Sequence, residues 1–372
     1  MTDRILKRIM VRQGTSMEAE THNEVLRAGE FSYETDTSRM KIGDGTNHYN
    51  DILSFSEEAE IAEKIVQGTY AGQSLNDKFG FGKSGSAVDT WLTARVGAEN
   101  FAGMNIGDWI DINTGAFTLG GAGTASAGAT DSDASLAATT RRFYVAGFNI
   151  YKGTGDTALT KNHVILCHLP TDFTCQWNRS KTQGSYVNTN NGCSSITNPW
   201  KASKAYAVLN GENNASTSGA GNPTGCNASN KGVLQMLTAA GLDSSHLLNR
   251  RKFAETRYTS GSDLTDSTGS AWVDWGKIFA PSEVEVYGSP RHSAGKTAAA
   301  LNWANYGPDE WLPLFKFFGK SAGYRWRRQA FWLSSAAGGI STHAGRVNGY
   351  GHADCYDTSY AIRLPVCFIF GV

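Results

Sequence analysis

The run Leu364–Phe370 (Leu-Pro-Val-Cys-Phe-Ile-Phe) constrains what this chain can fold into more than any other stretch. Successive strand side chains point to opposite faces, so a run that is apolar on both and rich in β-branched and aromatic residues has to be covered on both. That predicts a strand in the middle of a core and excludes a frayed tail. A second apolar run, Phe331–Leu333, lies upstream. Between the two, residues 341–360 are polar and glycine-rich and carry His343, Arg346, Asn348, Tyr350, His352, Asp354, Tyr356, Asp357 and Tyr360 among small residues. Tyrosine set among Gly, Ser, Asp and Asn supplies rigid amphipathic contacts with adaptable hydrogen bonds. These nine are therefore the candidate residues of a displayed contact surface.

At 372 residues the chain should form two or three domains. Only 18% of residues are charged, the net charge is zero and there are 42 glycines, a profile of β-rich, loop-rich proteins. Zero net charge argues against nucleic acid as the main partner. No window approaches the apolar length needed to cross a bilayer, and no charged start leads into an apolar segment. The expectation is a soluble chain without secretion signal or membrane insertion. Six cysteines without Cys-x-x-Cys spacing support neither a zinc ribbon nor a redox motif, and free thiols are favoured over disulfides.

Taken in order, Arg4–Arg12 reads as a strand and 29–46 as a hairpin whose turn comes from Asp36-Thr-Ser. Residues 54–67 turn helical, with Ser56 as a candidate cap, Glu57 and Glu58 in the first turn, and Ile61, Ile65 and Val66 on one face. Residues 68–97 read as a linker ending in a short helix near 89–96. The fold class expected is α+β and β-rich: a small N-terminal antiparallel β module (1–55), a helical connector (56–100) and a large C-terminal domain (101–372).

In that domain 106–112, 142–151 and 162–169 read as strands, and the Gly/Ala/Ser/Thr tract 115–140 as an exposed loop. Residues 176–199 and 211–229 read as polar loops, and 200–209 and 231–240 as helices. Pro281–Gly288 gives a capped helical turn, and Trp311–Phe318 packs apolar bulk. Tryptophans interspersed with Leu, Phe and Pro are read as core, which removes Trp332 from the site.

Two sets of motifs carry a resemblance. Arg12-Gln-Gly-Thr, Gly29-Glu, Glu34-Thr-Asp-Thr and Lys41-Ile-Gly-Asp-Gly resemble a short module near the N-terminus of phage tail fibre and tropism proteins. Independently, Ile106-Gly-Asp, Phe143-x-Val-Ala-Gly-Phe, Asn162-His-Val-Ile-Leu, Phe331-Trp-Leu-Ser-Ser-Ala, Ala344-Gly-Arg-Val-Asn-Gly-Tyr-Gly and Tyr360-Ala-Ile-Arg-Leu-Pro-Val-Cys-Phe-Ile look like C-type-lectin-like domains of gut-phage tail fibres. Phe331, Ser334 and Ala336 depart from the Trp, Arg and Pro usual in those domains. The resemblance implies a virion tail protein made in the bacterial host cytoplasm. Its N-terminal module would attach to other tail proteins, it would form a homotrimer, and 341–360 would bind a bacterial surface receptor, protein or glycan. Such regions are sometimes diversified by reverse-transcriptase cassettes.

Catalysis is not indicated. His343, His352, Cys355 and Asp357 fit no known metal-ligand spacing, so no metal or cofactor is expected. Asp354 with Asp357, or Glu283 with Glu285, are carboxylate pairs of a kind common on solvated turns. Formylglycine-generating enzymes share the fold class but use closely spaced C-terminal cysteines, which Cys355 and Cys367 are not. The alternatives to receptor binding are a tail-borne surface-polysaccharide hydrolase and a purely structural tail or baseplate subunit.

Overall fold

The computed structural model describes residues 11–123, 132–154, 159–169, 171–178, 199–212, 230–253, 272–289, 292, 311–318, 329–337, 340 and 342–372. The readings at 4–10, 179–198 and 213–229, together with Cys193, Cys226, Trp303 and Trp326, lie outside them. The described residues form an α+β, β-rich structure of several sheets. Contacts divide it into two units: residues up to Tyr70 with Phe101–Asn105, and Ala71–Asn100 with Ile106–Val372.

In the first unit β1 (Val11–Gly14), β2 (Phe31–Glu34) and β3 (Met40–Ile42) form a three-stranded sheet. The β2–β3 pair is the expected hairpin, turning through Ser38 at φ 58°. The module is not purely antiparallel, because β1 pairs with β2 in parallel. Parallel neighbours need a long crossover, and the stretch between Gly14 and Phe31 supplies one that holds α1 (Ser16–His22). Thr15 caps α1 in a reciprocal box with Glu18. The cap of α2 (Phe55–Gln67) is Ser54, boxed with Glu57, and not Ser56, which lies inside the helix. No residue of α2 is buried.

In the second unit, 71–100 is not a linker. It forms α3 (Leu75–Phe79) and α4 (Gly85–Gly97), whose Leu75, Val88, Leu92 and Val96 are completely buried. The spacing 88, 92, 96 is one helix face, so the segment joins the core it was expected to tether. The main sheet runs β10 (Leu247–Leu248), β18 (Val366–Gly371), β8 (His163–His168), β7 (Thr139–Phe148) and β4 (Trp109–Thr114), with β13 (Ile278–Phe279) also on β18. The helices expected near 200–209 and 231–240 form as α5 (Lys204–Asn210) and α6 (Val233–Ala239), and β11 (Arg250–Phe253) pairs with β12 (Trp272–Gly276) in a sheet of their own. The last strand is thus interior, and all of its residues are buried. Phe368 meets Phe143 edge to face, with centroids 5.3 Å apart. Cys167 and Cys367 sit directly opposite each other on β8 and β18 as free thiols, and burial pushes the Cys367 thiol up.

The tract 115–140 is also only partly loop. β5 (Phe117–Leu119) pairs with β6 (Ala134–Leu136), and Leu119 and Ala122 are buried. Small residues there allow close backbone approach, as where Gly120 N–H donates to Lys231 C=O at 2.9 Å. Trp177, Trp200, Trp275 and Trp332 are all fully buried, and the indole N–H of Trp332 donates to Cys175 C=O at 2.9 Å.

Candidate receptor-contact face

A five-stranded sheet carries the candidate residues, in the order β16 (Ala353–Asp357), β15 (His343–Val347), β14 (Phe331–Ala336), β17 (Ala361–Arg363), β9 (Thr174–Gln176). β14 is buried throughout and anchors the hairpin, whereas every residue of the edge strand β16 is half-buried. Core thus lies on one side of β15 and an open edge on the other.

The register sorts the nine residues. Arg346 faces Asp354, Ala344 faces Tyr356 and His343 faces Asp357. Side chains alternate between faces, so Arg346, Asp354 and Tyr356 share one face while His343 and Asp357 take the other. Tyr360 joins the first group, its ring 4.7 Å from that of Tyr356. The Arg346 guanidinium lies 3.7 Å over the Tyr356 ring. Its Nε and Nη2 both donate to Asp354 Oδ2, at 2.8 and 2.6 Å.

Asn348, Tyr350 and His352 form the hairpin tip. Asn348 turns out to shape the backbone: its Oδ1 accepts from the N–H groups of Tyr350 at 2.9 Å and His352 at 3.1 Å, an Asx-type turn completed by Gly351 at φ 81°. Tyr350 is left 83% exposed, its ring 6.4 Å from that of His352. His343 hydrogen-bonds Thr342 at 2.6 Å, and burial lowers its proton affinity against the pull of Asp357 and Asp354.

Sequence reasoning missed Tyr287, whose hydroxyl donates to Gly351 C=O at 3.1 Å and buttresses the tip from α7 (Glu283–Tyr287). A contact that distant along the chain leaves no local signal. It also missed Ile340, 43% exposed ahead of β15, an isolated apolar residue in a glycine- and serine-rich run that composition could have flagged.

The edge of β16 is partly blunted. Asn348 N–H to His352 C=O and Thr358 N–H to Thr342 C=O bracket the ladder, so the peptide groups of Ala353, Cys355 and Asp357 face away from β15. The Cys355 N–H is taken by Asp354 Oδ1 at 2.9 Å and the Asp357 C=O by Tyr360 N–H at 3.1 Å. Such capping disfavours strand addition and leaves recognition to side chains.

The carboxylate pairs are not arranged for acid–base work. Asp354 and Asp357 project to opposite faces. Glu283 and Glu285 are fully buried. Glu283 accepts from His292 N–H at 2.9 Å through both oxygens, and Glu285 is bound by the Tyr151 hydroxyl, the Ser282 N–H and, at 2.5 Å, Arg250. Among the described residues no three His, Cys, Asp or Glu side chains converge as metal ligands, and no helix is long and apolar enough to cross a membrane.

No protein-family model, no curated protein and no solved structure matches this chain.

Proposed function

We propose that the chain is a receptor-binding protein of a phage tail fibre, attached to the tail through its N-terminal module and to the bacterial surface through the β15–β16 hairpin of a C-type-lectin-like domain. One observation carries this reading. Among the described residues, the exposed large apolar side chains are Met17, Val25, Phe55, Val66, Ile340, Tyr350 and Tyr360. Four belong to the first unit and the other three flank or crown the hairpin, leaving none among the other described residues of the larger unit. Exposed apolar side chains suit contact sites, and here they fall in the first unit and at the hairpin, the segments to which the motifs assign attachment and recognition.

Binding without catalysis is the favoured activity, since of the two candidate carboxylate pairs one is buried and the other is split between opposite faces of the hairpin. The receptor-contact set narrows to Arg346, Tyr350, His352, Asp354, Tyr356 and Tyr360, with Asn348 shaping the tip. Assembly as a homotrimer would cover α2, whose Phe55 and Val66 are exposed. The test is retention of the purified chain by intact host cells, with released oligosaccharide measured in parallel; release lost in Asp354→Asn would favour the hydrolase.

A further inference from the structure

Two thiols face each other inside the main sheet. Cys367 of β18 stands in register with Cys167 of β8, and both are completely buried. Among the described cysteines this is the one such pair, since Cys175 stands opposite Ile362 and Cys355 opposite Gly345.

The hydrogen bonds at the strand ends decide what kind of pair it is. Along a strand, the peptide groups of successive residues turn to one neighbour and then the other. Gly371 N–H donates to His246 C=O at 2.9 Å, on the side of β10, so Ile369 and Cys367 also turn their peptide groups away from β8. On the other strand, His163 C=O accepts from Asn149 N–H at 2.9 Å, on the side of β7, so Ile165 and Cys167 turn theirs away from β18. The β8–β18 ladder has no register shift, which keeps that alternation intact. Cys167 and Cys367 are therefore a non-hydrogen-bonded pair, the kind whose Cα atoms lie about 4.5 Å apart and whose side chains leave the same face at close range. A disulfide bridges Cα atoms about 4.4–6.8 Å apart, so the sheet can take the bond in its present register.

We propose that Cys167 and Cys367 are a disulfide site, oxidised by a low-molecular-weight disulfide such as glutathione disulfide, and that the bond ties the last strand of the fold to β8. The thiolate of one cysteine attacks a sulfur of the oxidant, forming a mixed disulfide and releasing one thiolate. The thiolate of the other attacks the protein sulfur of that intermediate and releases the second. Two electrons pass from the cysteines to the oxidant, and the two protons that the cysteines lose are taken up by the two released thiolates. Burial and the hydrogen bond with Cys167 push the Cys367 thiol up, so the docked pair is a poor nucleophile. Exchange takes place while β18 is apart from β8, and docking of the strand brings the second thiol onto the first. The bond closes a loop of about 200 residues, long enough for a cross-link to restrict the unfolded chain strongly.

The test holds the full chain in urea near its unfolding midpoint, so that β18 opens, with either glutathione disulfide or dithiothreitol. Each sample is returned to buffer, and part of it is alkylated and digested for mass spectrometry. The oxidised sample should contain the peptides of Cys167 and Cys367 linked, lighter by two hydrogen atoms than the two reduced peptides together, and should melt about 5 °C or more above the reduced sample. Cys167→Ala should give no such linked peptides and should melt alike after both treatments. Cys167 and Cys367 recovered unlinked, either one linked instead to another cysteine, or a linked chain that melts no higher than the reduced one would overturn the proposal. If the variant does not fold, the linked peptides and melting shift of the parent chain decide the matter alone.

Discussion

Arg346 and Asp354 face each other across the β15–β16 ladder, and the guanidinium that Asp354 holds lies 3.7 Å over the Tyr356 ring. The pair is 17% and 32% exposed, so its value as an ion pair is modest, while its value as a template for the aromatic face is specific. Arg346→Lys keeps the charge and loses the planar stack. It should lower the free energy of unfolding by no more than about 1 kcal/mol yet weaken cell attachment severalfold, as read by paired denaturation and cell-binding titrations.

Phe368 is fully buried in β18 against Phe143. Phe368→Ala should cost about 3–5 kcal/mol through the cavity it leaves, measured as a lower urea midpoint. An unchanged midpoint would place β18 outside the core.

How much of this was legible beforehand depended on whether the signal was local. The β18 run, the 31–42 hairpin and the Ser282 cap of α7 each declare themselves within a few residues, and each formed. The parallel β1–β2 pairing did not, because it depends on which strand the crossover returns to. The helix face of Val88, Leu92 and Val96 was visible as a period, but the glycines around it drew the reading towards a linker. In the candidate site, composition singled out the stretch but could not supply the register that sends His343 and Asp357 to the far face.

Acid should destabilise the larger unit before its carboxylates titrate. Burial is the first cause lowering the proton affinity of His163 and His168 below the ordinary 6.5. The unfolded chain then binds protons more readily than the folded one, so stability is fully present above about pH 6.5 and declines as pH falls below it. Urea midpoints should drop between about pH 7.5 and 5.5, and the slope should flatten in a His163→Gln, His168→Gln variant.

The exposed α2 helix predicts self-association in solution. Multi-angle light scattering of the full chain at micromolar concentration should give the mass of a trimer, and Phe55→Ser with Val66→Ser should reduce it to that of a monomer. A monomeric parent chain would remove α2 as an assembly element.

The central claim is that recognition resides on the hairpin and stability beneath it. Replacing Tyr350, Tyr356 and Tyr360 together with Ala, and measuring whole-cell attachment alongside melting temperature, tests it most directly. Tyr350 and Tyr360 are 83% and 53% exposed, and a tyrosine at an interface hot spot is worth about 2 kcal/mol or more. The account predicts that attachment is abolished while the melting temperature barely moves. A variant that melts many degrees lower, or one that still attaches like the parent, would contradict it.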